Sequence, residues 1–359
     1  MSTHVHAPGD VLVERYKVTK YLDEGGMQQV YLAKDVTFGR KIALKVPKTA
    51  SAEKRFERSA RVSAKVVHAN VAATLDYFEF EGKNYLIEEF IDGQTLWERL
   101  ENEFQVLDPH LAAHVFHHLA KGVAASHHAG VFHRDLKPSN IMVSRDPGLT
   151  TVKITDFGIA KMAQEEIADA FKDKESTTGS QTVMGALPYM APEMILDQKS
   201  ANLPADLWAM GALLYQLISG MLPFGRGLGA VPTIVAAKLP PQPTLFSTKL
   251  QFQPLTHDLW SIVAACLEKD AAKRPTADQL VEMCSKLCYS NAERRVGSID
   301  SFRGKGRGNW GFIDIDGGGT AFFHQDNFYG DTIAVGDKVN FADFPGVPRS
   351  RAFPVLPMK

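Results

Sequence analysis

From residue 11 to 91 the apolar residues fall in short β-prone runs separated by turn-forming residues: Val30 to Lys34, Lys41 to Val46, Ala73 to Phe80 and Asn84 to Phe90. The pattern predicts a strand-rich segment, interrupted by one helical stretch from Ala52 to Val67. From Leu111 the spacing changes. Leu111, Val115, Leu119 and Val123 recur every fourth residue, the signature of one helix face. Helices are expected to dominate from there to about Tyr289, with two short strands, Ile141 to Ser144 and Thr151 to Thr155, bracketing the turn Asp146-Pro147-Gly148. After Arg295 the pattern shifts to Gly, Phe and short alternating runs, which places a domain boundary near 290–296. No tandem repeat is visible, and Pro240-Pro241-Gln242-Pro243 reads as a loop. Leu207 to Phe224 carries no charge and approaches the length that crosses a bilayer. Gln216, Ser219 and Gly220 interrupt it and no Lys/Arg cluster flanks it, so a helix buried on all sides of a large domain is the expectation.

Composition narrows the class without naming a function. The chain has 359 residues, enough for two or three compact units. Its 45% hydrophobic and 23% charged residues are those of a globular protein, and 40 basic against 41 acidic residues give a net charge of −1. No chain-wide attraction to nucleic acid or membrane follows from that balance. The start, MSTHVHAPGD, lacks the basic and apolar stretches of a secretory signal, and a cytoplasmic location is expected. Three cysteines agree with this: Cys284 and Cys288 lie one helical turn apart among apolar neighbours and read as reduced core thiols.

Candidate chemistry begins at Leu22 to Val30, a turn containing Gly25 and Gly26 between two strands, followed by Lys45 on the next strand. Glycines let backbone amides approach phosphate oxygens and a lysine can neutralise them, though taken alone a plain hairpin turn is the better account of this segment. The later residues are more specific: His133-Arg134-Asp135-Leu136-Lys137-Pro138-Ser139-Asn140, then Asp156-Phe157-Gly158, then Ala191-Pro192-Glu193. With these in order, residues 16 to 288 resemble a Hanks-type serine/threonine protein kinase of the bacterial eukaryotic-like group. The resemblance implies an α+β, bilobal protein kinase fold over 11–289, with a strand-rich N-lobe and a helical C-lobe, and ATP and Mg²⁺ as cofactors. Asp135 then accepts the proton of a substrate Ser or Thr hydroxyl, and Lys137 stabilises the transferred phosphoryl group. Asn140 and Asp156 offer hard oxygens to Mg²⁺. Leu22, Gly25, Val30, Lys45, Glu89 and Ile91 line the nucleotide site, and Glu193 pairs with Arg274 in a structural role. Ser176, Thr177, Thr178, Ser180 and Thr182, between the second and third motifs, form a candidate activation segment whose phosphate Arg134 could pair.

Departures from the family pattern bear on activity. Asp23 and Gln28 replace the first and third glycines of the phosphate loop, and Ala186 replaces a threonine. Ser59 stands where the family carries the helix glutamate that pairs with the strand lysine; Glu57 is displaced by about 200° around the helix. Glu88 precedes the hinge Glu89-Phe90-Ile91, where an apolar residue is usual; a carboxylate there needs a partner, and Lys45 is the expected one. A glutamate introduced at Ser59 should raise turnover unless Glu88 or Glu57 already holds the lysine. The alternative reading is a nucleotide-binding pseudokinase scaffold whose C-terminal domain acts on RNA or protein. His114, His117, His118, His127 and His128 are expected to form a polar helix face rather than a metal site.

The C-terminal segment carries a second constellation. Alternation places Trp310 and Phe312 on one face of a strand, and Phe322 and His324 on one face of the next, an aromatic platform for unpaired bases. Residues 296–359, after a linker at 290–295, resemble a cold-shock domain, a small OB-type β-barrel, through Trp310-Gly311-Phe312-Ile313 and Phe322-Phe323-His324. That resemblance implies single-stranded RNA or DNA as a partner, with Phe302, Trp310, Phe312, Phe322 and His324 in contact. Ser301 replaces a stacking tryptophan and Gln325 a frequent phenylalanine, while Arg303, Lys305, Arg307, Lys338, Arg349, Arg351 and Lys359 are offset by aspartates. A barrel used for packing or protein contact is the alternative.

Overall fold

The computed structural model describes residues 4–24, 28–48, 56–57, 60–157, 185–196, 203–304 and 308–359. The four expected β-prone runs supply four strands of one six-stranded sheet, in the order β1-β2-β3-β4-β6-β5, and two further strands precede them in the chain. Its strands are β1 (Val11–Leu12), β2 (Tyr16–Glu24), β3 (Gln28–Asp35), β4 (Arg40–Pro47), β5 (Thr74–Phe80) and β6 (Lys83–Glu89). Tyr16, Val18, Tyr31, Ile42, Leu44, Tyr85 and Ile87 bury one face of it. Within the expected 52–67 helix, residues 56–57 and 60–63 are helical, and Phe56 and Ala60 pack on Leu86 of β6.

The helical lobe follows. After α1 (Leu96–Asn102) comes α2 (Pro109–His128), whose start is set by Asp108: its Oδ1 accepts from the amides of His110 at 3.0 Å and Leu111 at 3.2 Å, and Pro109 follows. Leu111, Val115, Leu119 and Val123 all face the core, as their spacing predicts. β7 (Gly93–Thr95), β8 (Ile141–Ser144) and β9 (Val152–Ile154) make a small antiparallel sheet beneath the cleft. In the β8–β9 turn the Asp146 side chain accepts from the Gly148 amide at 2.9 Å. α3 (Pro192–Leu196) precedes α4 (Leu203–Ser219), the charge-free segment, which is buried without interruption from Ala205 to Ile218. Among the described residues no helix is long and apolar enough to cross a membrane. Cys266 and Cys284 are buried as expected, but Cys288 is exposed, because the last helix of this lobe, Ala277–Ser285, ends before it.

The C-terminal strands β10 (Arg294–Arg303), β11 (Trp310–Ile315), β12 (Thr320–His324), β13 (Lys338–Phe344) and β14 (Ser350–Pro357) close a barrel in the order β10-β11-β12-β14-β13. Ile299, Ile313, Phe323, Phe328, Phe341 and Val355 fill it. Gly311 is required by close approach: a Cβ there would sit 2.2 Å from the Ser301 carbonyl oxygen.

The segment 290–295, expected as a linker, is tied down. The Ser290 amide donates to His110 Nδ1 at 3.0 Å, and β10 already begins at Arg294. Arg294 donates to Asp108 Oδ2 and to Asn340 Oδ1, each at 2.6 Å. Asn340 in turn donates to the Pro147 carbonyl at 2.8 Å. Lys359 reaches the carbonyls of Leu100 and Glu101 at the end of α1, at 2.7 and 2.9 Å. Tyr329 and Leu356 belong to the same buried cluster as the helical lobe, with Phe252 against Tyr329 and Phe353. The barrel is docked on the lobe across a packed seam.

Candidate active site and candidate nucleic-acid interface

The cleft site is built from three neighbouring strands and two loops. Register pairs Val30 of β3 with Lys45 of β4, and Ala43 of β4 with Glu88 of β6. Leu22 is exposed near the end of β2 and Val30 is half-buried across from it, while Gly25 lies outside the described residues. Lys45 Nζ lies 2.5 Å from Glu88 Oε2 and 2.9 Å from Asp156 Oδ1. Burial alone would lower the lysine's pKa, but the Asp156 and Glu88 carboxylates outweigh it and raise it, so the ammonium is charged. Asp156 is the reverse case: burial pushes its pKa up, but the charge and hydrogen bond of Lys45 together with the hydrogen bond from Gln28 outweigh it, and the net direction is down. Burial raises Glu88, against the pull of Lys45.

The loop after α2 carries the second half. Asp206 of α4 fixes it, accepting from the amides of His133 at 2.9 Å and Arg134 at 2.7 Å, and lying 3.0 Å from His127 Nε2. Arg134 and Asp156 both have positive φ, 66° and 60°, conformations that non-glycine residues hold only where surrounding contacts enforce them. Asp135 Oδ2 is 2.8 Å from Lys137 Nζ, and Asn140 Nδ2 donates to both the carbonyl and Oδ2 of Asp135, at 2.8 and 2.9 Å. The amide of Asn140 is thereby oriented with its Nδ2 toward Asp135, which leaves Oδ1 as the end that can meet a cation. The bidentate Arg274–Glu193 pair, at 2.6 and 2.9 Å, is present as expected.

At the hinge, Glu89 accepts from Lys153 Nζ at 2.8 Å, so its side chain is occupied and its contribution to a nucleotide would come from the backbone; Ile91 is half-buried. Ser59 and the activation-segment residues Ser176, Thr177, Thr178, Ser180 and Thr182 lie outside the described residues. One participant was not evident as such in the sequence. Gln28, noted only for its missing glycine, donates Nε2 to Asp156 Oδ1 at 2.9 Å; it is 8% exposed, and its Oε1 has no partner among the described residues.

The expected polar face of α2 is solvated at His128, which is exposed beside Asp278, while His114, His117, His118 and His127 are half-buried. His118 contacts Asn70 at 3.0 Å and His117 contacts Tyr289 at 2.9 Å, while His114 packs against His118. Burial lowers the pKa of His114, His117 and His118, the last to about 4. Among the described residues no group of three or more His, Cys, Asp or Glu is arranged to hold a metal ion.

On the barrel, Trp310 pairs with His324 and Phe312 with Phe322 across β11 and β12. Trp310, Phe312 and Phe322 form one half-buried cluster with ring centroids 5.3 to 6.0 Å apart. Arg303 lies 4.7 Å from the Trp310 ring and Arg349 4.5 Å from the Phe312 ring, cation–π placements that add positive charge to the platform. His324 lies beside Asp326, at 3.2 Å. Phe302 does not join them. A register shift between Ile299 and Ser301 turns it to the inner face, opposite Gly311, where it stacks on Phe323 at 6.0 Å.

A two-lobed cleft with a strand lysine, a loop aspartate and a second aspartate at its floor is the architecture of a phosphotransferase that binds a nucleotide between its lobes. The protein kinase domain family matches residues 16–284, and the chain belongs to it. Among curated proteins, the chain is 33% identical to the serine/threonine-protein kinase pkn2 of Myxococcus xanthus, covering 75% of this chain and 32% of that one. It is 31% identical to the serine/threonine-protein kinase PknJ of Mycobacterium tuberculosis, covering 77% of this chain and 46% of that one. The chain therefore spans between about a third and a half of these relatives' length. The crystal structure of Rad53 1-466 in complex with AMP-PNP shares the fold, with a TM-score of 0.57 at 21% identity over 75% of this chain and 65% of that one. The family match ends before β10 begins.

Proposed function

We propose that the chain is a serine/threonine protein kinase that uses Mg²⁺ and ATP. The observation that carries this reading is the Lys45–Asp156 pair set beside the Asp135–Lys137–Asn140 cluster, the two joined where the Thr155 amide, next to Asp156, donates to the Asn140 carbonyl at 2.9 Å. The donor set suits a hard cation held jointly with phosphate: Asp156 and Asn140 would each supply a side-chain oxygen to it. Bound there, the cation neutralises developing phosphate charge. Lys45 would hold the α- and β-phosphates, and the backbone of Glu89 to Ile91 the base. Asp135 orients the substrate hydroxyl and takes its proton as the oxygen bonds to the γ-phosphorus and the bond to the β-phosphate oxygen breaks; Lys137 stabilises the phosphoryl oxygens.

The test is transfer of labelled phosphate from ATP to a generic basic protein. Asp135→Asn, which removes the proton acceptor, and Asp156→Asn, which removes a charged cation ligand, should each lower turnover by more than about 10²-fold. Equal transfer by wild type and Asp135→Asn would refute the reading.

For the barrel we propose single-stranded RNA or DNA as the ligand, on the support of the Trp310–Phe312–Phe322 cluster flanked by Arg303 and Arg349. Because the barrel shares buried residues with the helical lobe, the full chain is the proper test object. A labelled oligonucleotide should bind it in preference to duplex, with Trp310→Ala, Phe312→Ala and Phe322→Ala each costing about 1–3 kcal/mol. Phe302→Ala should act through folding. Undiminished binding by the three surface variants would assign this face to something other than bases.

A further inference from the structure

Protein kinases commonly orient the strand lysine with a glutamate from the N-lobe helix, so that movement of the helix switches the site. In this chain that helix position is Ser59. Glu57, a carboxylate described on the helix, is bound to Arg61 at 2.7 Å on an exposed face. Lys45 is nevertheless not short of a carboxylate. Glu88 meets it at 2.5 Å, and both residues are 5% exposed. They come from β4 and β6, which are hydrogen-bonded neighbours: Lys45 pairs with Leu86, and Glu88 with Ala43, two residues away along each strand.

We propose that Glu88 is the positioning residue for Lys45, supplying from the sheet the carboxylate that kinases ordinarily supply from the helix. This rests on the nucleotide site described above. Glu88 acts through the lysine rather than on substrate. Its negative charge balances one half of the ammonium's attraction and Asp156 the other, so Nζ is held between them at the cleft floor. Without Glu88 the lysine would be drawn wholly to Asp156, taking a carboxylate away from the cation and an ammonium away from the phosphates. The anchor is set by strand register, so the lysine is in place whatever the helix does. A buried ion pair of purely structural use would be replaceable, as a pair, by apolar packing without loss of ATP binding.

Two substitutions separate these cases. Glu88→Gln keeps the shape and removes the charge; Glu88→Asp keeps the charge on a shorter arm. Affinity for ATP with Mg²⁺ is measured by calorimetry on the full chain, alongside kcat and KM and a thermal melt to confirm folding. Glu88→Gln is expected to weaken ATP binding by about tenfold or more and to raise KM for ATP, with Glu88→Asp closer to wild type. Folded Glu88→Gln that binds ATP as tightly as wild type overturns the proposal, as does Glu88→Asp as weak as Glu88→Gln. If wild type transfers no phosphate yet the affinities follow this order, the anchor stands and the phosphotransfer reading falls. A wild type that binds no nucleotide refutes both.

Discussion

Asp156 gathers two N–H donors on one carboxylate oxygen, from Lys45 and from Gln28, and that arrangement decides what further charge the cleft can use. Lys45 already has two carboxylates within 2.9 Å. Ser59→Glu, which restores the family's helix residue, is therefore expected to leave kcat and KM for ATP unchanged; a several-fold rise in steady-state kcat would show that Glu88 does not satisfy the lysine. Which side chains line the candidate site was legible residue by residue, because the motifs that carry them are contiguous. The Lys45–Glu88 pair was legible too, since a buried carboxylate needs a partner. Gln28 was not: a glycine-loop substitution shows which side chain is added but not that it turns inward to Asp156.

At the scale of elements, periodicity carried well where a single face is buried. The core stripe of α2 and the outward pairs Trp310–His324 and Phe312–Phe322 follow directly from periods of about 3.6 and 2 residues. Phe302 escaped that logic because one irregular position in β10 reverses every later side chain on the strand. His114, His117 and His118 of α2 escaped it for another reason: the residues that cover them, Asn70 and Tyr289, are remote in sequence. Their burial has a consequence for acid stability. His110, His114, His117 and His118 are all held below their usual pKa of 6.5, by burial first. Each is neutral in the folded chain over a range where the unfolded chain takes up protons. Their contribution is thus fully present above pH 6.5 and is lost as pH falls toward about 4, the value for His118. The urea midpoint should drop between pH 7 and pH 5, and replacing His118 with glutamine should flatten that drop; an unchanged slope would assign the acid sensitivity elsewhere.

For the whole molecule, the least legible feature was the docking of the barrel, because its contacts join residues with no local signature. Asp108 and Arg294 are nearly two hundred positions apart and wholly or almost wholly buried. Asp108 does two things at once, capping α2 with one oxygen and holding Arg294 with the other. Asp108→Ala should accordingly cost more than the ~1 kcal/mol of a lost cap. It strands a buried guanidinium, a loss of about 3–5 kcal/mol, readable in chemical denaturation. A cost near that of the cap alone would mean the seam tolerates an unpaired Arg294.

Asn340 adds a different consequence. It grips the carbonyl of Pro147, at the far tip of the β8–β9 hairpin. The near ends of that hairpin are Asn140, immediately before β8, and Asp156, two residues after β9. The barrel thus holds one end of a short lever whose other end carries both proposed cation ligands. The hairpin's two strands, of four and three residues, are about 13 and about 10 Å long. The barrel is connected to this hairpin by a route that does not pass through the hinge between the lobes. A different barrel spliced on at residue 290 would inherit the tether but not the lever.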